Sequence, residues 1–468
     1  MRTALAFAFL LVACSPAQPL PDAGALALGD TGPEVGLDAA TAAVDAGQAA
    51  SDGGQVASGL TWHKDIRALV ESRCTGCHQD GEIAPFVLDD YASVFSNRGE
   101  VAHAVHHGSM PPWQAAKGCN EYEGDYSLDD DERQRLLDWI DGGAVEGDAS
   151  DYVAPELSDA RMSRTDVTLT MPVDYLPTLR PDDYRCFIID WPEERQRYIT
   201  GFAVDPGNAR MVHHVIGFLI QPRLVDRFRR KDERDDGPGY TCFGGPGEIM
   251  DGVDWIGSWA PGGRGYDLPE GTGIPVPPGS VVVMQVHYNT LVDNPESDRS
   301  SMRFKLDDTV AKPSKWMPWT NPFWVDNRMP MSIPAGQADV RHGFSFDPTI
   351  DRVGMPFGAQ RAFDIHLVAT HMHLLGKSIR LSIRRQGGGE TCLEDVQDWD
   401  FEWQGGVQLA QPVRFEPGDQ LSLECVWDNS AENQPVVDGQ RLPSRDVIWG
   451  EGTTDEMCLG LFYVSPAD

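Results

Sequence analysis

Basic residues are scarce in this chain: 38 Lys and Arg stand against 72 Asp and Glu, for a formal net charge of -34. Phosphate contacts need basic patches, so this balance argues against a nucleic-acid partner and reads as a solubilising acidic surface. The N-terminus offers no spanning helix, because the apolar run Ala4 to Ala13 behind Arg2 is too short for a bilayer. Residues 15–58 have neither Lys nor Arg, carry Asp22, Asp30, Glu34, Asp38, Asp45 and Asp52, and are rich in Ala and Gly. Such a stretch cannot build a core and reads as a flexible tether. No solenoid period is apparent, which argues against stacked repeats.

What is present suffices for a large core. With 468 residues, 41% hydrophobic and 24% charged, the chain is expected to hold three domains. The short apolar run fits the h-region of a signal peptide, residues 1–13, and Leu11-Val12-Ala13-Cys14 looks like a bacterial lipobox. Cys14 is then the lipidated first residue of the mature protein, and residues 14–58 are its tether. The expected location is the bacterial cell envelope, anchored to a membrane by lipid, the outer membrane facing the periplasm or the cell surface.

Cys74-Thr75-Gly76-Cys77-His78 is the attachment pattern of a c-type haem, with two thiols for the vinyl groups and His78 as proximal iron ligand. Trp62, Ile66, Leu69 and Val70 recur at helical spacing before it. After it, Ser127-Leu128-Asp129-Asp130 reads as a capping-box variant leading into Leu136, Leu137 and Ile140, with Gly142-Gly143 as the stop. Residues 59–150 are therefore expected to form a small all-α domain like cytochrome c. Met110, in Ser109-Met110-Pro111-Pro112-Trp113, is the expected distal ligand, since the prolines fix the loop that presents it. His103, His106 and His107 compete for that role or are exposed helix residues.

From about residue 160 the pattern turns to strands. Val167-Thr168-Leu169-Thr170 and Leu421 to Val426 alternate between Gly and Pro punctuation, pointing to antiparallel sandwiches. His371 and His373 stand two apart, so on a strand both imidazoles leave one face and can meet one ion. His366 has the opposite parity and reads as structural or supporting. His213 and His214 are adjacent, and neighbours on a regular strand face opposite ways, so only a bulge, twist or strand end lets both bind one metal. Met457 lies far off in sequence and on its own reads as a core methionine; a thioether is a soft ligand that favours Cu(I), so a His/His/Met set would argue for a copper that cycles through the reduced state and meets dioxygen.

The strings Gln285-Val286-His287-Tyr288, His371 to Lys377 and Gly452 to Cys458 resemble the dopamine β-monooxygenase and peptidylglycine α-hydroxylating monooxygenase family over roughly residues 152 to 468. That resemblance implies two jelly-roll-like β-sandwich domains, 152–308 and 309–468, each holding one copper. It implies His213, His214 and His287 as ligands of an electron-relay copper, and His371, His373 and Met457 as the catalytic set where dioxygen is reduced. It also implies disulfides Cys186–Cys242 and Cys425–Cys458, and leaves Cys119 and Cys392 unassigned. In peptide-specific members an Arg stands two residues before the first His of His-x-His and a Tyr four after the Met. Here Ala369 and Leu461 occupy those positions, so a peptidyl carboxylate has no anchor. No acidic residue can be assigned as an amine anchor, and the lean is to a less polar substrate.

The expected activity is that of a copper-dependent monooxygenase that hydroxylates a C–H bond of a small organic substrate with O2. The cofactors are two copper ions and one covalent haem c. Electrons come from ascorbate or a cytochrome-type donor, the attached haem feeding the His213/His214/His287 copper. The alternatives are a non-catalytic surface electron-transfer or copper-binding protein and, more remotely, a haem-based sensor.

Overall fold

The computed structural model describes residues 59–468, apart from 81–83, 156–161, 181, 243–244, 249–250, 261–262, 264, 291–294, 351–355, 402, 438–439, 451 and 453. The expected signal peptide, Cys14 and the tether thus lie outside the described residues. No helix among the described residues is long and apolar enough to cross a membrane.

Residues 59–151 are helical, with helices Arg67–Arg73, Tyr91–Ser96, Arg98–His107 and Asp130–Asp141 after a turn of π-helix at Trp62–Ile66. Trp62, Ile66, Leu69 and Val70 are all buried, together with Val94, Val101, Val105, Leu136 and Trp139, in one apolar cluster. Burying each such side chain is worth roughly 1.5–3 kcal/mol, which is what holds short helices of low intrinsic stability together. The N-cap of Asp130–Asp141 differs from the expected Ser127. Asp129 accepts from the Glu132 amide while the Glu132 carboxylate accepts from the Asp129 amide, a complete capping box two residues further on. Ser127 instead precedes the cap, its amide donating to Asp125. The helix stops where expected, with Gly142 as C-cap and Gly143 at φ 97°.

Two β-sandwiches follow. The first pairs the sheet Val167–Thr170, Ser301–Asp307, Arg197–Asp205, Thr272–Val276 with the sheet Tyr240–Thr241, Asp182–Asp190, Val281–Asn289, Val212–Ile220, Val253–Trp259. The second pairs Lys315–Trp319, Leu459–Pro466, Phe363–His371, Gly406–Phe415 with Val340–Phe346, Gln420–Trp427, Gly376–Arg384, Glu390–Val396. These pairings are antiparallel; the two-residue strand Lys312–Pro313 joins the first sandwich in parallel, against Thr272 and Gly273. Strand Ser301–Asp307 shows why the sheets form, since Met302, Phe304 and Leu306 alternate inward while their neighbours stay half-exposed. The sandwiches share apolar packing: Trp316, Leu367, Leu461 and Tyr463 of the second join the core cluster of the first, and Tyr463 Oη donates to Thr272 Oγ1 at 3.1 Å.

Three disulfides link the described residues. Cys186–Cys242 and Cys425–Cys458 are the pairs implied by the family resemblance. The third, Cys119–Cys392, joins the helical region to the second sandwich. Around it the segment 114–123 covers two strands that stand last in their sheets. Ala115 bridges Val396 and Tyr122 bridges Leu409, Ala116 N donates to Asp395 O at 2.7 Å, and Glu123 N donates to Gln408 O at 2.9 Å. Unpaired sheet edges invite other chains, and here the protein's own segment occupies them.

Candidate metal centres

The first histidine set arises from a register fault. On strand Val281–Asn289, His287 shares one face with Val281 and Val283, away from the inward Val282, Met284 and Val286. His214 is its cross-strand partner, so the two imidazoles leave the sheet together. Between Val212 and His214 the register shifts, leaving His213 as the extra residue of a bulge, and its ring turns to the same side. His213 Nδ1 lies 3.2 Å from His287 Nδ1, which lies 3.3 Å from His214 Nδ1. The three rings can offer ligand atoms all within 4.8 Å of one another. Imidazole nitrogens about 2.0–2.1 Å from one metal at tetrahedral angles stand about 3.3 Å apart, so the spacing fits one ion.

The surroundings favour neutral rings with lone pairs turned inward. Burial lowers the pKa of His213 to about 3, with the neighbouring His287 adding to it, and drives His214 well down for the same reasons. His213 Nε2 is buried without a hydrogen-bond partner, and its Nδ1 meets only another imidazole. The protein alone leaves that ring unsatisfied. His287 Nε2 donates to Asp182 Oδ1 at 2.8 Å, which fixes the tautomer and leaves Nδ1 free to ligate, while the Tyr184 ring lies parallel on it at 4.0 Å.

In the second sandwich His371 ends the strand Phe363–His371 and pairs with Leu459. His373 follows two residues beyond that pairing and Met457 stands two residues before Leu459, buried and next to Cys458 of the Cys425–Cys458 disulfide. His371 Nδ1 donates to Gln404 Oε1 at 2.7 Å and His373 Nδ1 to the Asp455 carbonyl at 3.1 Å, so each ring keeps Nε2 for an ion. Gln404 is held the right way round because its Nε2 donates to Phe401 O at 2.8 Å. Burial lowers these histidines to about 4 and about 3. Two imidazoles with a thioether fit a soft metal such as Cu(I). His366 sits apart, its Nε2 2.8 Å from Ser465 Oγ, in line with the structural reading.

Sequence reasoning gave no role to Asp182, Tyr184, Trp399, Phe401, Gln404 or Glu456, which hold or touch these rings. Glu456 stands directly before Met457 in the string Gly452 to Cys458, and an acid next to an expected ligand is the signal the sequence offers; its burial is a finding of the structure.

In the helical region Cys74 and Cys77 follow helix Arg67–Arg73, are half-buried and are not disulfide-bonded. Burial pushes the Cys74 thiol up to about 12, so it stays protonated. His78 is buried and its Nδ1 donates to the Phe86 carbonyl at 2.9 Å, leaving Nε2 free to ligate. That arrangement fits an axial histidine. Met110 is half-buried beyond the left-handed cap Gly108, whereas His103, His106 and His107 are exposed on helix Arg98–His107.

Two antiparallel sandwiches, one presenting three convergent histidines and the other two histidines and a buried methionine next to a disulfide, offer two sets of residues whose chemistry suits a bound metal. The N-terminal domain of the copper type II ascorbate-dependent monooxygenases matches residues 167–295 and the C-terminal domain matches residues 330–465, more than half of the chain, and the chain belongs to this family. It is similar to DBH-like monooxygenase protein 1 of Gallus gallus, 25% identical over 336 residues that span 66% of this chain and 48% of that protein. Tyramine beta-hydroxylase of Caenorhabditis briggsae is 25% identical over 274 residues, 56% of this chain and 41% of the relative. The chain thus spans about half or less of these curated relatives' length.

Proposed function

We propose that the protein is a copper-dependent monooxygenase that hydroxylates a C–H bond of a small organic substrate with dioxygen, using electrons delivered through a haem c attached at Cys74 and Cys77. The observation that carries this reading is the pairing of two unlike donor sets, an all-imidazole one and one with a thioether, on two packed domains. His371, His373 and Met457 would hold the copper that supplies the chemistry of dioxygen and the C–H bond, and His213, His214 and His287 would hold the copper that supplies the second electron.

The chain's own residues prepare this chemistry. Asp182, Gln404 and the Asp455 carbonyl each take the N–H of one histidine, fixing which nitrogen faces the metal. Burial keeps the imidazoles neutral well below ordinary pH. Ala369 and Leu461 are direct cross-strand partners, Leu461 within the apolar cluster shared by the sandwiches and Ala369 packed against it. A carboxylate there would meet methyl groups in place of an ion pair, so the substrate class lacks one. Cys14 carries the lipid anchor in this reading, which sets the protein in the cell envelope.

Metal analysis of the purified protein should give two copper ions and one iron per chain. Reduced protein should consume oxygen faster with its substrate, the product gaining one oxygen atom by mass spectrometry. Oxygen uptake unaltered across a broad panel of candidate substrates would favour a non-catalytic electron-transfer or copper-binding protein instead.

A further inference from the structure

The turn between strands Glu390–Val396 and Gly406–Phe415 touches both histidine sets. Trp399 Nε1 donates to the His373 carbonyl at 3.1 Å. Gln404 spans from the Phe401 carbonyl to His371 Nδ1. Between them the Phe401 ring lies nearly parallel to the His213 imidazole, 5.0 Å between centroids at 19°, and 6.2 Å from His373 edge-on. One side chain therefore stands against a histidine of each domain.

The same turn is gripped from the helical region. Gln114 Nε2 donates to the Asp400 carbonyl at 2.9 Å, and Asp400 is bonded to Phe401. Gln114 follows Trp113, which packs edge-on against Tyr126 at 5.0 Å and Tyr122 at 6.0 Å. Tyr126 Oη donates to the Pro112 carbonyl at 3.2 Å, in the loop that carries Met110. The Cys119–Cys392 bond and the pairing of 115 and 122 with the sheet edges hold this junction in place. From Trp113 to the His213 ring the path is covalent except for one hydrogen bond and one ring stack.

We propose that Phe401 is the residue through which electrons from the helical region enter the copper pair, arriving across the Gln114–Asp400 hydrogen bond and leaving onto His213. The inference rests on the reading that haem and copper occupy the sites described above. Electronic coupling falls steeply across empty space and much less along bonds and touching rings, so such a junction conducts better than an empty gap of the same length. Each passage moves one electron: a ferrous haem becomes ferric and one Cu(II) becomes Cu(I), with no bond or proton exchanged. Two passages supply the two electrons of one hydroxylation. Phe401 is not itself oxidised; it carries the overlap.

The test uses the fully oxidised full-length protein under anaerobic conditions without substrate, injects one electron per chain by pulse radiolysis so that the haem is reduced first, and follows haem reoxidation as Cu(II) becomes Cu(I) by transient absorbance. Phe401→Leu keeps apolar bulk and removes the ring, and should slow haem oxidation about tenfold or more, whereas Phe401→Tyr should keep a near-normal rate. Gln114→Leu should slow it as well. The Cu(II) electron paramagnetic resonance spectrum and the haem midpoint potential should stay at wild-type values in all three. Wild-type rates in both Phe401→Leu and Gln114→Leu would overturn the relay while leaving the haem and copper reading intact. A slowed rate with a shifted Cu(II) spectrum would also overturn it, since Phe401 would then act by positioning His213. Wild-type protein that binds no haem or no copper would remove the underlying reading, and the relay with it.

Discussion

Glu456 and His373 are joined through the backbone: a fully buried carboxylate oxygen of Glu456 accepts the His373 amide at 3.0 Å. The same carboxylate takes the Leu375 amide at 2.6 Å and the Trp427 indole N–H at 2.8 Å. One acid next to Met457 thus fixes the backbone that presents His373, although burial raises its pKa to about 7. Glu456→Gln points an amide N–H at a donor and leaves buried groups unpaired. Copper affinity at the His371/His373/Met457 set should fall by about 10–100-fold, measured by chelator competition with Cu(I), while the His213/His214/His287 set is unaffected.

Asp182→Asn should act on the other set alone. Losing the carboxylate from His287 Nε2 removes the charge that sharpens its donor nitrogen, and copper there should weaken by about 10-fold or more with altered Cu(II) hyperfine splitting. An unchanged spectrum would show that Tyr184 stacking alone orients the ring.

The metal-free protein should lose stability as pH falls. His213, His371 and His373 protonate at about 3, 4 and 3 when folded, against 6.5 ordinarily, because burial disfavours the charged ring. Below 6.5 the unfolded chain binds protons that the folded chain refuses, so this stability is complete above 6.5 and is lost progressively toward about 3. Each histidine contributes a slope of about 1.4 kcal/mol per pH unit inside that window. Thermal melts of apo protein between pH 7 and pH 4 check this, and a His371→Gln variant should show a shallower dependence.

Glu394 should show the opposite slope. Its side chain is buried, Oε2 has no partner, and burial alone raises its pKa to about 8 from 4.5. Between those values only the unfolded chain releases the proton, so stability falls as pH rises from 4.5 through about 8. Glu394→Gln should raise the melting temperature at pH 8 and matter little at pH 5.

Much of this was legible in the chain because the motifs are local. Cys74 to His78, His371 with His373, and the helical spacing of Trp62, Ile66, Leu69 and Val70 each span only a few residues of chain. For His213 and His214 the sequence stated a condition, a break in strand regularity, and the register fault at Val212 to His214 meets it. What could not be read is whatever tertiary packing brings together. Gln404 and Phe401 stand in a turn with no periodicity, and nothing in their neighbourhood announces His371 or His213. Asp129 displaced Ser127 as a cap because both are good cap residues and only Asp129 has Glu132 three positions on. Cys119 and Cys392 stayed unassigned because residues 273 apart in sequence give no local signal of their meeting.

That last bond also sets an order of events for biosynthesis. Chains emerge from the N-terminus, so Cys119 is made long before its partner, and the whole first sandwich, with Cys186 and Cys242, must be translated before Cys392 appears. For that interval Cys119 is an open thiol in the company of Cys74 and Cys77, which form no disulfide in the finished fold. On the proposed reading that Cys74 and Cys77 carry haem, their capture and closure of the 119–392 ring compete in time, and a cell making this protein needs early capture of those two thiols or a disulfide isomerase to undo the wrong pairs.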